Sequence, residues 1–186
     1  MAKEKKEAFS KVLTPTFRAS FVNVFEPSAF DDDDEAKYSI TMLFDKEADL
    51  SKLKALAKEA AAKKWPQGVP KNLRSPFRDG AEKPDFDGYE GMIFVIAKSK
   101  DKPGVVDQKV EPIVDQSEFY SGCFARATVT AYGYDYKGNK GVAFGLVNVQ
   151  KVKDGEPFSS RSKPSDDFEP LEVGDSGTTG DVDDLF

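Results

Sequence analysis

The sequence predicts a mainly β protein: an OB-fold-like five-stranded Greek-key barrel with one amphipathic helix and a disordered acidic C-terminal tail. Three observations lead to this fold class. Several segments alternate apolar and polar residues or form short apolar runs, one helical stripe lies between two groups of strands, and residues 164–186 are acidic. A β-sandwich is the alternative, and the helix between the two groups of strands favours the barrel.

The first two strands are predicted from alternation. Residues 17–25 place Phe17, Ala19, Phe21 and Phe25 on one face, and residues 38–44 alternate in the same way. The two segments are expected to pair. Between them, the acidic run 31–35 lacks the spaced ligands and the turn glycine of a calcium-binding EF-hand loop. It therefore predicts a solvated loop, whose negative charge repels nucleic acid.

One helix follows these strands. It is predicted to be capped by Asp49 or Ser51 and to run to about Lys64, with leucines and alanines on its buried stripe and lysines opposite. The residues from Trp65 to Gly88 are rich in proline and glycine and predict a long irregular loop. Loops of this length in compact domains are usually functional or disordered, and the aromatic and arginine content favours function.

The remaining strands come after this loop. Residues 92–97 form a nearly continuous apolar run and predict a central strand, and residues 105–106 and 113–114 predict edge pieces. Residues 123–136 are the clearest strand, because small apolar residues alternate there with larger and polar ones. A turn at residues 137–141 then leads into the last strand, residues 142–152.

The chain is divided into three parts by these patterns. Residues 1–14 predict a flexible charged N-terminal arm, residues 15–158 the OB-fold DNA-binding domain, and residues 159–186 the disordered acidic tail. Neither a signal peptide nor a membrane span is recognised, so we expect a cytoplasmic protein without membrane contact. The single cysteine, Cys123, fits a reducing compartment.

The charge is unevenly distributed along the chain. The formal net charge is −6, but residues 164–186 hold eight acidic and no basic residues. Subtracting this −8 leaves +2 on the other residues, and subtracting the five acids of the run 31–35 leaves +7. A basic body with a separate acidic tail suggests a polyanionic partner.

The chemistry of an enzyme is restricted by the absence of histidine. Ser-His-Asp and Cys-His nucleophiles are excluded, and so is the commonest zinc ligand. One enzyme alternative is a metal-dependent nuclease of the PD-(D/E)xK type, because Pro84-Asp85 and Asp107-Gln108-Lys109 loosely match that pattern. A structural virion protein without nucleic-acid affinity is the other alternative. The leading hypothesis needs no catalytic residue, cofactor or metal.

Aromatic and basic residues are interleaved in the second half of the chain. Aromatic rings stack on any base, and cations follow the phosphates, so this combination is typical of binding to single-stranded nucleic acid. The alternative for each aromatic is that it fills the core, because aromatic residues also dominate protein cores. The predicted DNA-binding residues are Arg18, Arg74, Phe77, Arg78, Tyr120, Phe124, Arg126, Tyr132, Tyr134, Tyr136 and Lys140.

The tail closes on two large apolar residues, which a tail that serves solubility alone does not need. We interpret its end as a short linear motif in which the terminal aromatic and its carboxylate enter a basic-rimmed pocket of a partner. A disordered charged terminus without a partner is the alternative. The predicted partner-binding residues are Asp181, Asp183, Asp184, Leu185 and Phe186.

Three stretches of the sequence resemble a bacteriophage family of single-stranded DNA-binding proteins, formerly a domain of unknown function. They are residues 20–25, 119–127 and 138–146, and the similarity extends over most of residues 10–158. The resemblance implies an OB fold that coats single-stranded DNA during phage replication or recombination, in the cytoplasm of the host cell. Its partners would be single-stranded DNA and replication or recombination proteins. The oligomeric state is left open, with a homodimer as one option.

The acidic tail is also similar to the tails of other single-stranded DNA-binding proteins. In that group the tail recruits replication enzymes and competes with DNA for the basic groove. The end of this chain, residues 181–186, lacks the proline often found before the terminal phenylalanine, so its partner pocket is expected to differ.

Overall fold

The computed structural model describes residues 10–29 and 34–158. In these residues one α-helix and two short 3-10 helices accompany eight strands. The strands are β1 (Val12–Leu13), β2 (Phe17–Ser28), β3 (Lys37–Asp45), β4 (Arg78–Asp79), β5 (Met92–Ser99), β6 (Gly104–Val106), β7 (Phe124–Tyr136) and β8 (Asn139–Lys153). The helix α1 covers Ser51–Lys64, and the 3-10 helices cover Gly80–Glu82 and Gln116–Glu118.

Five of these strands close into a ring. Strands β2, β3 and β5 pair antiparallel in chain order, β5 pairs parallel with β8, and β8 pairs antiparallel with β7. The ring closes where β7 meets β2, at Phe17 opposite Ala125 and Arg18 opposite Phe124. Strands β1, β4 and β6 extend the ring by pairing with β7, β5 and β8. The predicted five-stranded OB barrel is therefore confirmed.

The barrel interior is built from alternate residues of these strands. Along β7, Ala125, Ala127 and Val129 are buried, as the small-residue alternation predicts. Because these side chains are small, large rings from the other strands fit against them. Phe17 and Phe44, for example, meet edge to face at 5.8 Å between ring centroids.

Helix α1 packs its apolar stripe into the same core. Its leucines and alanines are buried at positions 53, 56, 57, 60 and 61, which matches the predicted stripe. The Asp49 carboxylate accepts a hydrogen bond of 3.0 Å from the Ser51 amide and so satisfies one free donor of the first turn. Lys63 and Lys64 lie in the last turn, where positive charge suits the helix dipole. The predicted end at Lys64 is confirmed, but the N-cap residue is Leu50 rather than Asp49 or Ser51.

Strand β2 differs from the prediction at Phe21. The pairing of β2 with β3 shifts register between Ser20 and Asn23, and Phe21 has a φ of 45°. This bulge reverses the alternation, so Phe21 is 50% exposed while Val24 is buried. The prediction that Phe21 lies on the same face as Phe17 and Ala19 was wrong, because the bulge depends on pairing with the neighbouring strand, which the sequence pattern does not show.

Two further boundaries differ from the sequence prediction. Val12–Leu13 pair with β7, and Thr14 is buried, so the sheet begins before residue 15. Ile113 and Val114 lie outside every strand, although the Ile113 amide donates to the Val105 carbonyl. Val114 is 86% exposed.

A second, smaller core lies on the outside of the barrel. Leu43 of β3 and Phe94 of β5 point outward, and Tyr89 from the loop after β4 covers them. The Tyr89 hydroxyl donates a 3.0 Å hydrogen bond to the Ser20 hydroxyl of β2. Within the loop predicted as irregular, residues 65–88, Arg78 and Asp79 also pair with β5, so part of that loop is packed on the sheet.

None of the helices in residues 10–29 and 34–158 is long and apolar enough to cross a membrane.

Candidate nucleic-acid interface

On the outer face of β7 and β8, small residues of β8 lie beside larger residues of β7. Tyr134 is opposite Gly141, Tyr132 is opposite Ala143, and Thr130 is opposite Gly145. A Cβ atom added to Gly141 would come within 2.5 Å of the Tyr134 hydroxyl oxygen. The glycine therefore lets the tyrosine lie flat against the sheet.

One row of paired residues crosses the outside of the whole ring. Thr130 is opposite Gly145, Gly145 is beside Lys98 of β5, Lys98 is opposite Ser39 of β3, and Ser39 is opposite Asn23 of β2. The Asn23 side-chain amide donates to the Ser39 hydroxyl at 3.3 Å. This row gives the face hydrogen-bonding groups and one exposed cation, Lys98.

The second and third strands of the ring are β3 and β5. In OB folds the outer face of these two strands, with the adjoining loops, commonly binds oligonucleotides. Here that face presents Ile96, which is 38% exposed, next to Lys98. Neither residue belongs to the predicted DNA-binding set, because the apolar run 92–97 indicated only a central strand and Lys98 follows it directly.

One edge of this face brings together four of the predicted residues. The Arg74 amide donates to the Lys140 carbonyl at 2.9 Å, which fixes the loop after α1 against the tip of the β7–β8 hairpin. The Arg74 side chain is exposed, and Tyr136 is 65% exposed with the Lys137 ammonium 5.1 Å from its ring centroid. Lys140 forms an ion pair with Asp135 at 3.6 Å. Arg74, Tyr134, Tyr136 and Lys140 are called the hairpin rim below.

Phe77 and Arg78 lie next to this rim, but other contacts already engage them. Phe77 is half-buried and meets Phe144 edge to face at 5.7 Å. Arg78 donates to the Glu82 carboxylate at 2.7 Å and lies 4.9 Å from the centroid of the Phe94 ring. Phe77 thus contributes to packing, and the Glu82 carboxylate offsets the charge of Arg78.

A second group of predicted residues lies at the start of β7, around residues 154–158, which we call the strap. The Arg18 guanidinium donates to the carbonyls of Gly122 at 3.2 Å and Glu156 at 2.6 Å. The Phe158 amide donates to the Ser121 carbonyl at 3.1 Å. These hydrogen bonds hold the strap over the short β2–β7 seam.

Tyr120 fixes the beginning of the strap. Its hydroxyl lies 2.9 Å from the Asp154 carboxylate and 3.0 Å from the Gly155 carbonyl. Burial raises the pKa of Tyr120, and its hydrogen bond to Asp154 raises it further. Phe124 lies nearby with the Lys153 ammonium 4.7 Å from its ring centroid.

Arg126 and Tyr132 lie between these two groups along β7. Arg126 donates from Nε to the Gln150 side-chain oxygen at 2.8 Å, and Gln150 donates in turn to the Asp107 carbonyl at 3.0 Å. Tyr132 is 44% exposed and borders a cleft beside the end of α1, and partial burial raises its pKa. The eleven predicted residues therefore form two groups joined by β7.

Asp107, a member of the loose nuclease pattern, holds a turn. Its carboxylate accepts hydrogen bonds from the amides of Lys109 at 2.8 Å and Glu111 at 2.9 Å. In the described ranges, no three acidic or cysteine side chains are grouped for a metal ion. The predicted tail residues 181–186 lie outside the described residues.

A family model and a curated relative both match most of this chain. The family described as Enterobacter phage Enc34, ssDNA-binding protein, matches residues 10–182. Putative protein p50 of Acyrthosiphon pisum secondary endosymbiont phage 1 is 31% identical over 176 residues, with 88% of this chain and 95% of the relative covered.

Two solved structures are similar as well. The single-stranded DNA-binding protein of bacteriophage Enc34 in complex with ssDNA aligns with a TM-score of 0.69 and 26% identity, over 80% of this chain and 89% of that one. Gp2.5 of bacteriophage T7 aligns with a TM-score of 0.59 and 15% identity, over 92% of this chain and 100% of that one, which is a likeness of fold. With a family model that matches residues 10–182, the chain belongs to the family of the Enterobacter phage Enc34 single-stranded DNA-binding protein.

Proposed function

We propose that this chain binds single-stranded DNA with little sequence preference, across the outer face of β3 and β5 and over the hairpin rim. The observation that carries the proposal is the open part of the outer face of the second and third strands of an OB ring. There Ile96 and Lys98 are exposed beside the rim, beyond the cover that Tyr89 forms over Leu43 and Phe94. The Enc34 relative was solved with single-stranded DNA, which supports the same ligand here.

The proposed binding mode divides the work between aromatic and basic residues. Tyr134 and Tyr136 offer rings to bases, and stacking is worth about 1–3 kcal/mol per base. Arg74, Lys140 and Lys98 contact phosphates, and this contribution falls as salt is added. Little sequence preference follows, because every base has a face that can stack.

The second group of predicted residues has a smaller direct role in this proposal. Arg18 and Tyr120 hold the strap, so we expect their loss to affect DNA binding mainly through the stability of the barrel. Phe124 and Arg126 lie on the outer face of β7 and extend the proposed path of the bound DNA towards the strap. Tyr132 lies between them and the rim.

We further propose that the protein coats single-stranded DNA during phage replication or recombination in the host cytoplasm, without catalysis. The acidic tail, through residues 181–186, would recruit replication or recombination proteins. When DNA is absent, the tail would occupy the proposed DNA-binding surface, at Lys98 and the hairpin rim. The first role needs a partner with a basic-rimmed apolar pocket. The second needs only opposite charge.

A binding series tests these proposals. Fluorescence anisotropy is measured with a 30-nucleotide single strand and with the matching duplex, across salt, for the full chain and for a chain ending at Lys163. We expect the single strand to be preferred, affinity to fall steeply with salt, and the shortened chain to bind more tightly at low salt. Equal affinity of the two chains at low salt contradicts competition by the tail.

The same samples distinguish the other functions. If neither chain binds the single strand at low salt, DNA coating is excluded and a structural virion role is favoured. If either DNA is cleaved in the presence of magnesium, and Asp107→Ala loses this cleavage, the nuclease is favoured.

A further inference from the structure

Two aromatic side chains that the sequence analysis did not assign to DNA binding lie exposed beside the β3–β5 face. Phe21 is 50% exposed and Phe86 is 41% exposed, and their rings meet edge to face at 5.1 Å between centroids. Single exposed apolar side chains are common on protein surfaces, but adjacent ones that form a contiguous patch often mark an interaction site. We propose that the Phe21–Phe86 pair stacks on a base of the bound single strand. This inference rests on the proposed function.

The backbone supports a functional reading of Phe21. Its φ of 45° lies in the left-handed region, which bulky residues rarely adopt. Such a conformation costs of order 1–3 kcal/mol and is usually found where function needs it. Here the bulge turns the ring out of the barrel, at a place where regular alternation would bury it.

Phe86 is held in place by a series of rings that leads into the protein. Its centroid lies 5.4 Å from that of Tyr89, and Tyr89 lies 5.5 Å from Phe94. Tyr89 and Phe94 are each only 2% exposed, and the Tyr89 hydroxyl is bonded to Ser20. The outer ring is therefore supported by a packed wall, so little side-chain entropy is lost when a base stacks on it.

The position of the pair connects it to the proposed path of the strand. Phe21 lies two residues before Asn23, the β2 end of the polar row that also contains Ser39 and Lys98. Single-stranded DNA that crosses the β3–β5 face from the hairpin rim therefore arrives at the Phe21–Phe86 pair. Register and bulge together place the aromatic pair at the far edge of the face.

The charges around the pair favour a base over a phosphate. The Lys83 ammonium lies 5.8 Å from the Phe86 ring centroid, but the neighbouring Asp85 and Asp87 are exposed carboxylates. Carboxylates repel phosphates at short range. We therefore expect the base to lie on the rings, with its phosphates directed towards Lys83 and Lys98.

Phe86→Ala is the variant that tests the proposal, with Val114→Ala as control because Val114 is 86% exposed and lies after β6, outside the strands that form the face. We expect Phe86→Ala to weaken binding of the 30-nucleotide strand about 5- to 100-fold, which corresponds to the loss of one stacked base. Phe86→Tyr keeps a ring and should bind within about twofold of the wild type. Val114→Ala should bind like the wild type.

Three outcomes overturn the inference while the wild type still binds. The first is a Phe86→Ala affinity within twofold of the wild type. The second is a Phe86→Tyr defect as large as that of alanine, which shows that the ring itself is not needed. The third is that Phe86→Ala binds DNA like the wild type but sediments with a lower mass. That result would show that the pair is a contact between copies of this chain. If the wild type binds no oligonucleotide, the proposed function fails instead.

A second measurement uses the unaltered protein and so does not depend on the folding of a variant. An oligonucleotide with 5-iodouracil at each position in turn is cross-linked by ultraviolet light, and the modified peptides are mapped. Cross-links to Phe21 or Phe86 support the proposal. Cross-links confined to the hairpin rim and the strap contradict it.

Discussion

The guanidinium of Arg18 lies 4.0 Å from the centroid of the Phe158 ring. Arg18 belongs to β2 and Phe158 ends the strap, so this contact joins the first strand of the ring to the segment that follows its last strand. The seam between β2 and β7 has only two pairs in register, at Phe17 and Arg18. The strap therefore supports one of the two joins of the ring that have only two pairs, the other being between β5 and β8.

Arg18→Ala should lower the free energy of unfolding by about 1–3 kcal/mol, because it removes two charged hydrogen bonds and a cation–π contact. The measurement is unfolding in urea. Arg74→Ala is the matched control, since the Arg74 side chain is exposed and should change stability by less than about 0.5 kcal/mol. Equal stability of the two variants would show that the strap contributes nothing to closure.

Gly122→Ala should destabilise the protein more than Gly138→Ala does. Both glycines have positive φ, of 116° and 82°, so both substitutions strain the backbone by about 1–2 kcal/mol. At Gly122 a Cβ would also overlap the Glu156 carbonyl, while at Gly138 it meets nothing within 4 Å. We expect an extra loss of about 2 kcal/mol at Gly122 in urea unfolding. The same loss at both positions would contradict the close packing of the strap.

The contribution of Asp154 should depend on pH. Its hydrogen bonds from Lys151 and then Tyr120 lower the pKa of the Asp154 carboxyl below its ordinary value of 3.8. A lowered folded-state pKa stabilises the fold above pH 3.8, and this stabilisation is lost as the pH falls through the folded-state value.

The difference in melting temperature between the wild type and Asp154→Asn should therefore be largest at neutral pH and should close below about pH 4. Asp101→Asn is a control, since the Asp101 carboxylate has no hydrogen bond or ion pair to the residues that the structure describes. A difference that stays constant down to pH 3 would contradict this role of the ionised carboxylate.

The hairpin rim should contribute to the salt dependence of DNA binding. Arg74→Ala and Lys140→Ala should each weaken binding and reduce the slope of log affinity against log salt by about 0.7, the value for one phosphate contact on a single strand. Lys102→Ala should leave the slope unchanged, because Lys102 is exposed in the turn after β5. If both rim variants keep the wild-type slope of log affinity against log salt, the DNA phosphates do not contact the hairpin rim.

The order of the strands and the helix could be predicted because their signals are local. Alternation between Phe124 and Tyr134 identifies β7 and its two faces without any knowledge of its neighbours. The exposure of Phe21 could not be predicted, because the bulge depends on pairing with β3. Ile96 was missed for a related reason: an apolar residue on an open outer face cannot be distinguished by sequence from one in a covered face.

The role of Arg18 shows the limit of pattern reasoning for the site. An arginine among aromatic residues is typical of phosphate binding, yet its closest contact is the carbonyl of Glu156, 138 residues away in sequence. The rim was easier to predict, because Tyr134, Tyr136 and Lys140 surround one hairpin. Residues that are close in sequence stay close in the fold, whereas the strap is brought to Arg18 only by closure of the ring.

The parallel pairing of β5 with β8 has a consequence for synthesis. Strand β5 ends at Ser99, but its parallel partner β8 begins only at Asn139, and the strap that follows β8 ends at Phe158. At roughly 5–20 residues per second, a ribosome needs on the order of 3–12 s to make the intervening chain. During that time β2, β3 and β5 form at most an open sheet with an unpaired edge, which is prone to join other chains. A nascent chain interrupted before residue 139 would keep that edge for as long as it survives.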